Sequence, residues 1–285
     1  MKKLYISWLL FMILCNQTVC ARIQRIVTLN SAITETVFGL GMGRAVVATD
    51  VTSIAPKAAA DLPKVSRNRA LSAEGILAFR PTLVIAPIGD VPNAVVQQLK
   101  ASGIKFIAIH QEFSENGAYR FIQQIANVLE AEDEGKRVVN RTRVTMHKVK
   151  ELVRTKMTNR PKPKILFIYA RGAGTMSVSG KGSSIDALMD LAGNENAVKE
   201  FNDFKPYTTE ALVHANPDVI LMFDFGVSSL GGKDAILRLP GMRLTTAGRH
   251  GRILSMNPSL LVNFSTRLPE AVLALHQGVV NIMDQ

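Results

Sequence analysis

A sixteen-residue pattern occurs twice in this chain, and it constrains the fold more than any other feature. Leu71 to Ala86 reads LSAEGILAFRPTLVIA, and Tyr207 to Met222 reads YTTEALVHANPDVILM, 136 residues further on. Ser72 or Thr208 can accept a hydrogen bond from the free backbone N–H groups of a helix start. Glu74 or Glu210 follows in the first turn, against the positive end of the helix dipole. Pro81 and Pro217 push the residues before them out of helical geometry, and the branched apolar runs that follow read as buried strands. Each copy is therefore a short helix feeding a parallel strand. A long period occurring only twice argues for two similar α/β lobes, because a solenoid needs several shorter repeats.

The first residues carry a different signal. Lys2 and Lys3 precede the apolar run Leu4 to Cys15, and Val19, Cys20 and Ala21 form a small-residue cleavage site. The pattern predicts a secretory signal peptide over residues 1–21, since the run is shorter than the ~20 residues a bilayer span needs. Gln17 stands where a lipid-attachment motif wants leucine, which argues against lipidation at Cys20. Cleavage after Ala21 leaves 264 residues with a net charge of +9 and no cysteine, hence neither a disulfide nor a cysteine metal site. A basic balance suits an anionic ligand or an anionic surface. Export, and the lack of a basic stripe interleaved with aromatics, argue against nucleic acid.

The rest of the chain fills in the two lobes. Arg25 to Asn30 reads as a strand, Ser31 as the cap of a helix closed near Gly39, Gly41 and Gly43, and Ala45 to Thr49 as the next strand. After the first copy come a helix from Asn93 to Ser102 and a strand from Lys105 to Ile109. From Asn116 to Met157 there is no proline, and apolar residues recur at helical spacing. This predicts two helices, the later one about 26 residues and ~39 Å long, enough to run from lobe to lobe. Pro161 and Pro163 end it. Lys164 to Tyr169 opens the second lobe with a strand, followed by a glycine-rich loop, a helix from Ser184 to Ala192, a strand from Ile253 to Met256 and a closing helix from Pro269 to Met283. The expected domains are residues 22–130, a spine at 131–160, and residues 161–285.

No catalytic constellation is visible. The histidines 110, 147, 214, 250 and 276 show no short metal-ligand spacing. The stretch SGKGSS at Ser179 lacks the spacing of a phosphate-binding loop, and there is no GxSxG elbow. Two parallel-sheet lobes on one long helix describe a ligand clamp, with a cleft beyond the carboxyl ends of the strands.

At this point a family resemblance is plain. RIVTLNSAITETVFGLG at Arg25, the two helix–strand units and the closing helix resemble the substrate-binding proteins of iron-complex and cobalamin ABC importers, the class with a rigid helical spine. The resemblance covers essentially the whole mature chain. Within the class, RALSAEGILAFRPTLVIAP, GTMSVSGKGSSIDALMDLAGNENAV and FKPYTTEALVHANPDVIL are most similar to periplasmic haem-binding proteins. The resemblance implies a periplasmic monomer that carries haem, without a catalytic cofactor, to a permease and its ATPase. A ferric siderophore or a corrinoid is the alternative cargo. An exported enzyme, or an adhesin using the basic face, is the alternative class.

The resemblance also assigns residues. Glu74 and Glu210 match the glutamates that pair with permease arginines, although both also favour their helix N-termini by roughly 0.3–1 kcal/mol. Haem-binding relatives carry a tyrosine ligand just before the first copy, where this chain has Ser66, Arg67, Asn68 and Arg69. Arg67 takes the tyrosine's place and Arg69 matches the family arginine. Both are candidates for haem propionates, and both also read as an ordinary solvated loop. Haem iron accepts His, Cys, Met or Tyr. Tyr169, at the carboxyl end of its strand, is the candidate iron ligand ahead of Tyr207, with packing under the glycine-rich loop as its other reading. Arg171 is a second-lobe propionate candidate. Arg267 is a further one that can equally cap the closing helix.

Overall fold

The structure, a computed structural model, describes residues 24–68, 70–158, 161–172, 174 and 176–285. The expected signal peptide and Arg69 lie outside the described residues.

The first sheet has strand order β2-β1-β3-β4, with β1 at Ile26–Thr28, β2 at Val46–Thr49, β3 at Leu83–Pro87 and β4 at Lys105–Ile109, all parallel. On one face, Ile76 of the repeat helix Ala73–Leu77 and Val95 and Leu99 of helix Asn93–Ala101 pack against Val27, Val84 and Ala86. On the other face, Ile33 and Val37 of helix Ser31–Gly39 and Phe121 and Ile125 of helix Glu115–Val128 pack against Ile26, Leu83 and Ile85.

The second sheet repeats this plan. In it β5 (Lys164–Ala170) pairs in parallel with β7 (Glu195–Asn196) and β9 (Val219–Phe223), and β9 pairs with β10 (Ile253–Met256). The order β7-β5-β9-β10 is that of the first sheet. The expected parallel core is present, and β6 (Met176–Ser179) and β8 (Phe204–Pro206) add to it an antiparallel flap on β5, so that this sheet is mixed. The turn from Ala170 to Met176 is too short for the crossover a parallel pair requires, so β6 can only fold back.

The two repeat copies match in detail. Ser72 Oγ accepts from Gly75 N at 3.1 Å, and Thr208 Oγ1 accepts from Ala211 N at 3.1 Å. Each copy turns through a left-handed residue just before its proline, Arg80 at φ +46° and Asn216 at φ +38°. The residue after the proline then makes a reciprocal clasp with the residue that opens the sheet. Thr82 N donates to Arg25 O at 2.8 Å and Thr82 Oγ1 accepts from Arg25 N at 3.0 Å. In the second lobe, Asp218 N donates to Lys164 O at 2.8 Å and Asp218 Oδ2 accepts from Lys164 N at 2.9 Å.

The spine, Glu132–Met157, belongs to both lobes. Val138 is buried in the first lobe's core, while Met146, Val149 and Val153 are buried in the second lobe's core with Ile165, Phe167 and Leu188. Its interior glycine marks a close crossing, since a Cβ on Gly135 would stand 2.5 Å from the Ala126 Cβ. Lys150 bridges to Glu115 at 2.8 Å, and the Arg143 guanidinium lies 4.9 Å from the Tyr119 ring centre.

A buried carboxylate makes a second junction between the lobes. Glu35, on helix Ser31–Gly39, is 4 % exposed and accepts from Asn263 Nδ2 at 2.8 Å. Ser265 Oγ donates to Asn263 Oδ1 at 2.6 Å, which orients the amide. Arg267 Nη1 stands 3.5 Å from both Glu35 oxygens. Burial pushes the Glu35 pKa up to about 7 against the opposing pull of Arg267. An acid whose folded pKa is raised contributes stability that is complete below its unfolded value, near 4.5, and is lost as pH rises through about 7. Urea unfolding of the wild type should therefore lose ground to Glu35→Gln between pH 4.5 and pH 8; parallel curves would contradict the shift.

Candidate ligand cleft

The carboxyl ends of the parallel strands form the two facing edges. On the second lobe an aromatic wall gathers there. Tyr169, near the end of β5, meets Phe223, the last residue of β9, edge-on at 6.2 Å and Phe225 at 5.9 Å; Phe223 and Phe225 lie 5.4 Å apart. Arg171 ties this wall together. Its Nε donates to the Tyr169 phenol oxygen at 2.7 Å, and its guanidinium lies 5.1 Å from the Phe225 ring centre. Cation–π contacts of this kind orient the planar fork while leaving its remaining donors available. Tyr169 is half-buried and Arg171 exposed. Tyr169 thus sits at the rim of an aromatic cluster with a cation on its oxygen. Tyr207 lies elsewhere, its phenol donating to Pro240 O at 3.4 Å.

The first lobe presents apolar side chains at the corresponding edge. Ile54 follows β2 and is 47 % exposed, and Ile88 follows β3 and is 60 % exposed. Phe113, beyond β4, stacks edge-on with Phe264 of the second lobe at 5.4 Å, closing the base between the lobes. The loop carrying Ile54 is held from beneath. Lys64 Nζ donates to Thr49 Oγ1 at 2.7 Å, Ser53 O at 2.7 Å and Ala59 O at 3.1 Å, and burial lowers its pKa. Hydroxyls of Thr28, Thr34 and Ser53 continue this network to Asp50.

Lys64 also places the arginine loop. It pairs in parallel with Thr49 at the end of β2, so the chain beyond it runs past the carboxyl edge of the sheet. Arg67 stands there, exposed, on a turn in which Asn68 Oδ1 accepts from Ala70 N at 2.9 Å and from Ser66 Oγ at 3.0 Å. Arg267 is differently placed. Its Nε and Nη2 pair with the two Glu270 oxygens, each at 2.7 Å, and Nη1 faces Glu35 at the lobe junction. Its ion pairs with Glu270 and Glu35 account for this guanidinium, which makes no side-chain cap to the closing helix. Glu74 and Glu210 are exposed at the starts of their repeat helices. Glu74 borders an open cavity of about 680 Å³ lined with Ala73, Leu77, Ala78, Gln98, Ala101 and Ser102.

Residues 26–260 match the family model described as periplasmic binding protein. The chain belongs to the periplasmic binding protein family. Among solved members, it is similar to the periplasmic heme-binding protein BhuT, in complex with two hemes, at 33 % identity and a TM-score of 0.87 over 91 % of this chain and 99 % of that one. The periplasmic heme-binding protein RhuT from Roseiflexus sp. RS-1 gives 33 % identity and a TM-score of 0.86 over the same shares. A curated relative, the uncharacterized ABC transporter substrate-binding lipoprotein YvrC of Bacillus subtilis (strain 168), is 24 % identical over 258 residues, 90 % of this chain and 80 % of its own length. The vitamin B12-binding protein of Vibrio campbellii (strain ATCC BAA-1116) is 25 % identical over 210 residues, 73 % of this chain and 74 % of that protein.

Within this family fold, Tyr169 and Arg171, expected at the cleft edge, stand at the carboxyl end of β5, and the aromatic wall behind them was not anticipated. The signal was present in VILMFDF, where Phe223 and Phe225 extend the second copy past its strand. Lys64→Ala should destabilise the protein by about 1–3 kcal/mol, because three acceptors lose their shared donor, and should speed proteolysis in the loop around Ile54. Thermal melting and limited digestion measure both; unchanged values would mean that the loop is held by other means.

Proposed function

We propose that this chain captures haem between its two lobes and delivers it to an ABC importer in the inner membrane, without acting chemically on it. The observation that carries this reading is the Tyr169–Arg171 pair, a phenol oxygen receiving a guanidinium hydrogen bond on the rim of an aromatic wall. A phenolate is a known haem iron ligand, and a donor on its oxygen offsets the charge it carries when bound. The aromatic wall and the exposed isoleucines suit a broad, flat, mostly apolar ring. Arg171, Arg67 and Arg69 supply cations for its propionates. The similarity to heme-binding BhuT and RhuT supports the same cargo.

In this reading residues 1–21 direct export and are removed after Ala21, and the mature chain works in the periplasm as a monomer. Residues 22–130 and 161–285 are the lobes and 131–160 the spine. The spine is buried in both cores, so closure is small compared with proteins hinged on flexible strands. Glu74 and Glu210 meet arginines on the permease, with the cavity beside Glu74 leaving room for a partner side chain.

Titration of the purified protein with ferric haem should give a saturable Soret shift at one equivalent. Its absence, with tight binding of cobalamin or a ferric siderophore, would move the function to that cargo. Arg171→Ala should weaken haem about 10- to 100-fold, as loss of an outer-shell partner generally does, and Tyr169→Phe should alter the ligand-to-metal charge-transfer bands. Glu74→Ala combined with Glu210→Ala should abolish uptake in cells while leaving haem affinity intact. Weakened affinity with normal uptake would remove the docking role.

A further inference from the structure

We infer that the outer face of the spine is a binding surface for anionic phospholipid bilayers, separate from the cleft and from the docking glutamates. The inference does not rest on the haem reading. Between Lys136 and Lys156 the chain has eight lysines and arginines against one glutamate, a net +7 of the +9 carried by residues 22–285. Haem capture leaves this charge unexplained, since none of the cleft cations lies on the spine. In each lobe the spine and the repeat helix pack on opposite faces of the sheet, so the basic face is also not the one that presents Glu74 and Glu210.

The helix sorts its residues by side. Val138, Thr142, Met146, Val149 and Val153 are buried. Arg137, Arg141, Val144, Lys148 and Leu152 follow one another at steps of four, three, four and four, so they share a different side in one stripe about 22 Å long, and all five are exposed. Some cations of the helix are already engaged. Lys150 and Arg143 hold the neighbouring helix through Glu115 and the Tyr119 ring, while Arg137 and Arg154 pair with Glu134 and Glu151 at 2.6 Å on the spine's own surface. Arg141 and Lys148 make no ion pair among the described residues. They alternate along the stripe with Val144, 49 % exposed, and Leu152, 39 % exposed. An acidic protein or a nucleic acid would satisfy the cations and leave these aliphatic side chains without a role. A bilayer surface uses both kinds. Headgroup phosphates accept hydrogen bonds from the arginine and the lysine, whose long stems reach outward, and the valine and leucine enter the boundary between headgroups and acyl chains. One unbroken helix carries the stripe, so these side chains can reach one plane together.

Cargo-free protein comprising residues 22–285 should sediment with vesicles of phosphatidylglycerol and phosphatidylethanolamine and remain in solution with phosphatidylcholine vesicles. Salt at about 0.5 M, which screens charges within about 5 Å, should release it. Arg141→Gln combined with Lys148→Gln should lower the vesicle partition coefficient about tenfold or more, and Val144→Ser combined with Leu152→Ser about threefold or more. Each variant replaces exposed side chains outside the cleft, so melting temperature and haem titration should match the wild type. Absence of binding to the anionic vesicles, equal binding to the neutral ones, or an unchanged partition in the arginine and lysine variant would overturn the inference. Binding to soluble polyglutamate that needs the two cations, with vesicle binding indifferent to Val144 and Leu152, would give the surface to an acidic protein instead. A wild type without a Soret shift would overturn the haem reading and leave this one standing.

Discussion

One helix packed into two cores is the constraint on which the rest depends. Val138 and Val153 lie four turns apart on the spine, and each is buried with a different sheet. Neither lobe can rotate far without withdrawing apolar side chains from a core, at about 25 cal/mol per Å² exposed. Phe113 on Phe264 and Glu35 on Asn263 add an apolar and a polar contact across the same junction. The gap between the carboxyl edges is thereby set before a ligand arrives, which lowers the ordering cost of binding. Such a site suits a rigid flat cargo better than one that must be wrapped.

The two lobes are built by one local rule and then made to differ. Each begins with a strand clasped to the residue after the repeat proline, and each continues with a capped helix and a left-handed turn. The divergence is at the carboxyl edge. The first copy runs into Pro87, Ile88 and Gly89, the second into Phe223, Asp224 and Phe225. Equivalent positions thus yield an aliphatic face on one side and an aromatic, arginine-bridged face on the other. Two walls of one scaffold acquire different chemistry while their backbones keep the same strand order.

The legible part of the fold was the part encoded locally. Both repeat helices, their caps, the strands after each proline and the bounds of the spine follow from periodicity and capping within a few residues. Asn30, and not Ser31, caps the first helix, since its Oδ1 accepts from Ala32 N. The antiparallel flap of β6 and β8 was hidden because its strands are short and embedded in glycine, serine and lysine, where alternation leaves no trace. At the site, the position of Tyr169 and Arg171 at a strand end could be read from the sequence. Their hydrogen bond, and the stacking of Phe225 on Arg171, depend on segments brought together by the sheet. Nothing near Glu35 in sequence says that it is buried.

That carboxylate has a consequence for how the chain is made. Asn263 follows Glu35 by 228 residues, and Arg267 by 232, so the junction closes only when nearly the whole polypeptide is present. Until then Glu35 lacks the amide and the guanidinium that face it in the complete fold. The cost of dehydrating it falls at the moment the last helix docks. A chain released short of Asn263 would keep an ionised, hydrated face where the complete one has an interior, and so would betray its own incompleteness.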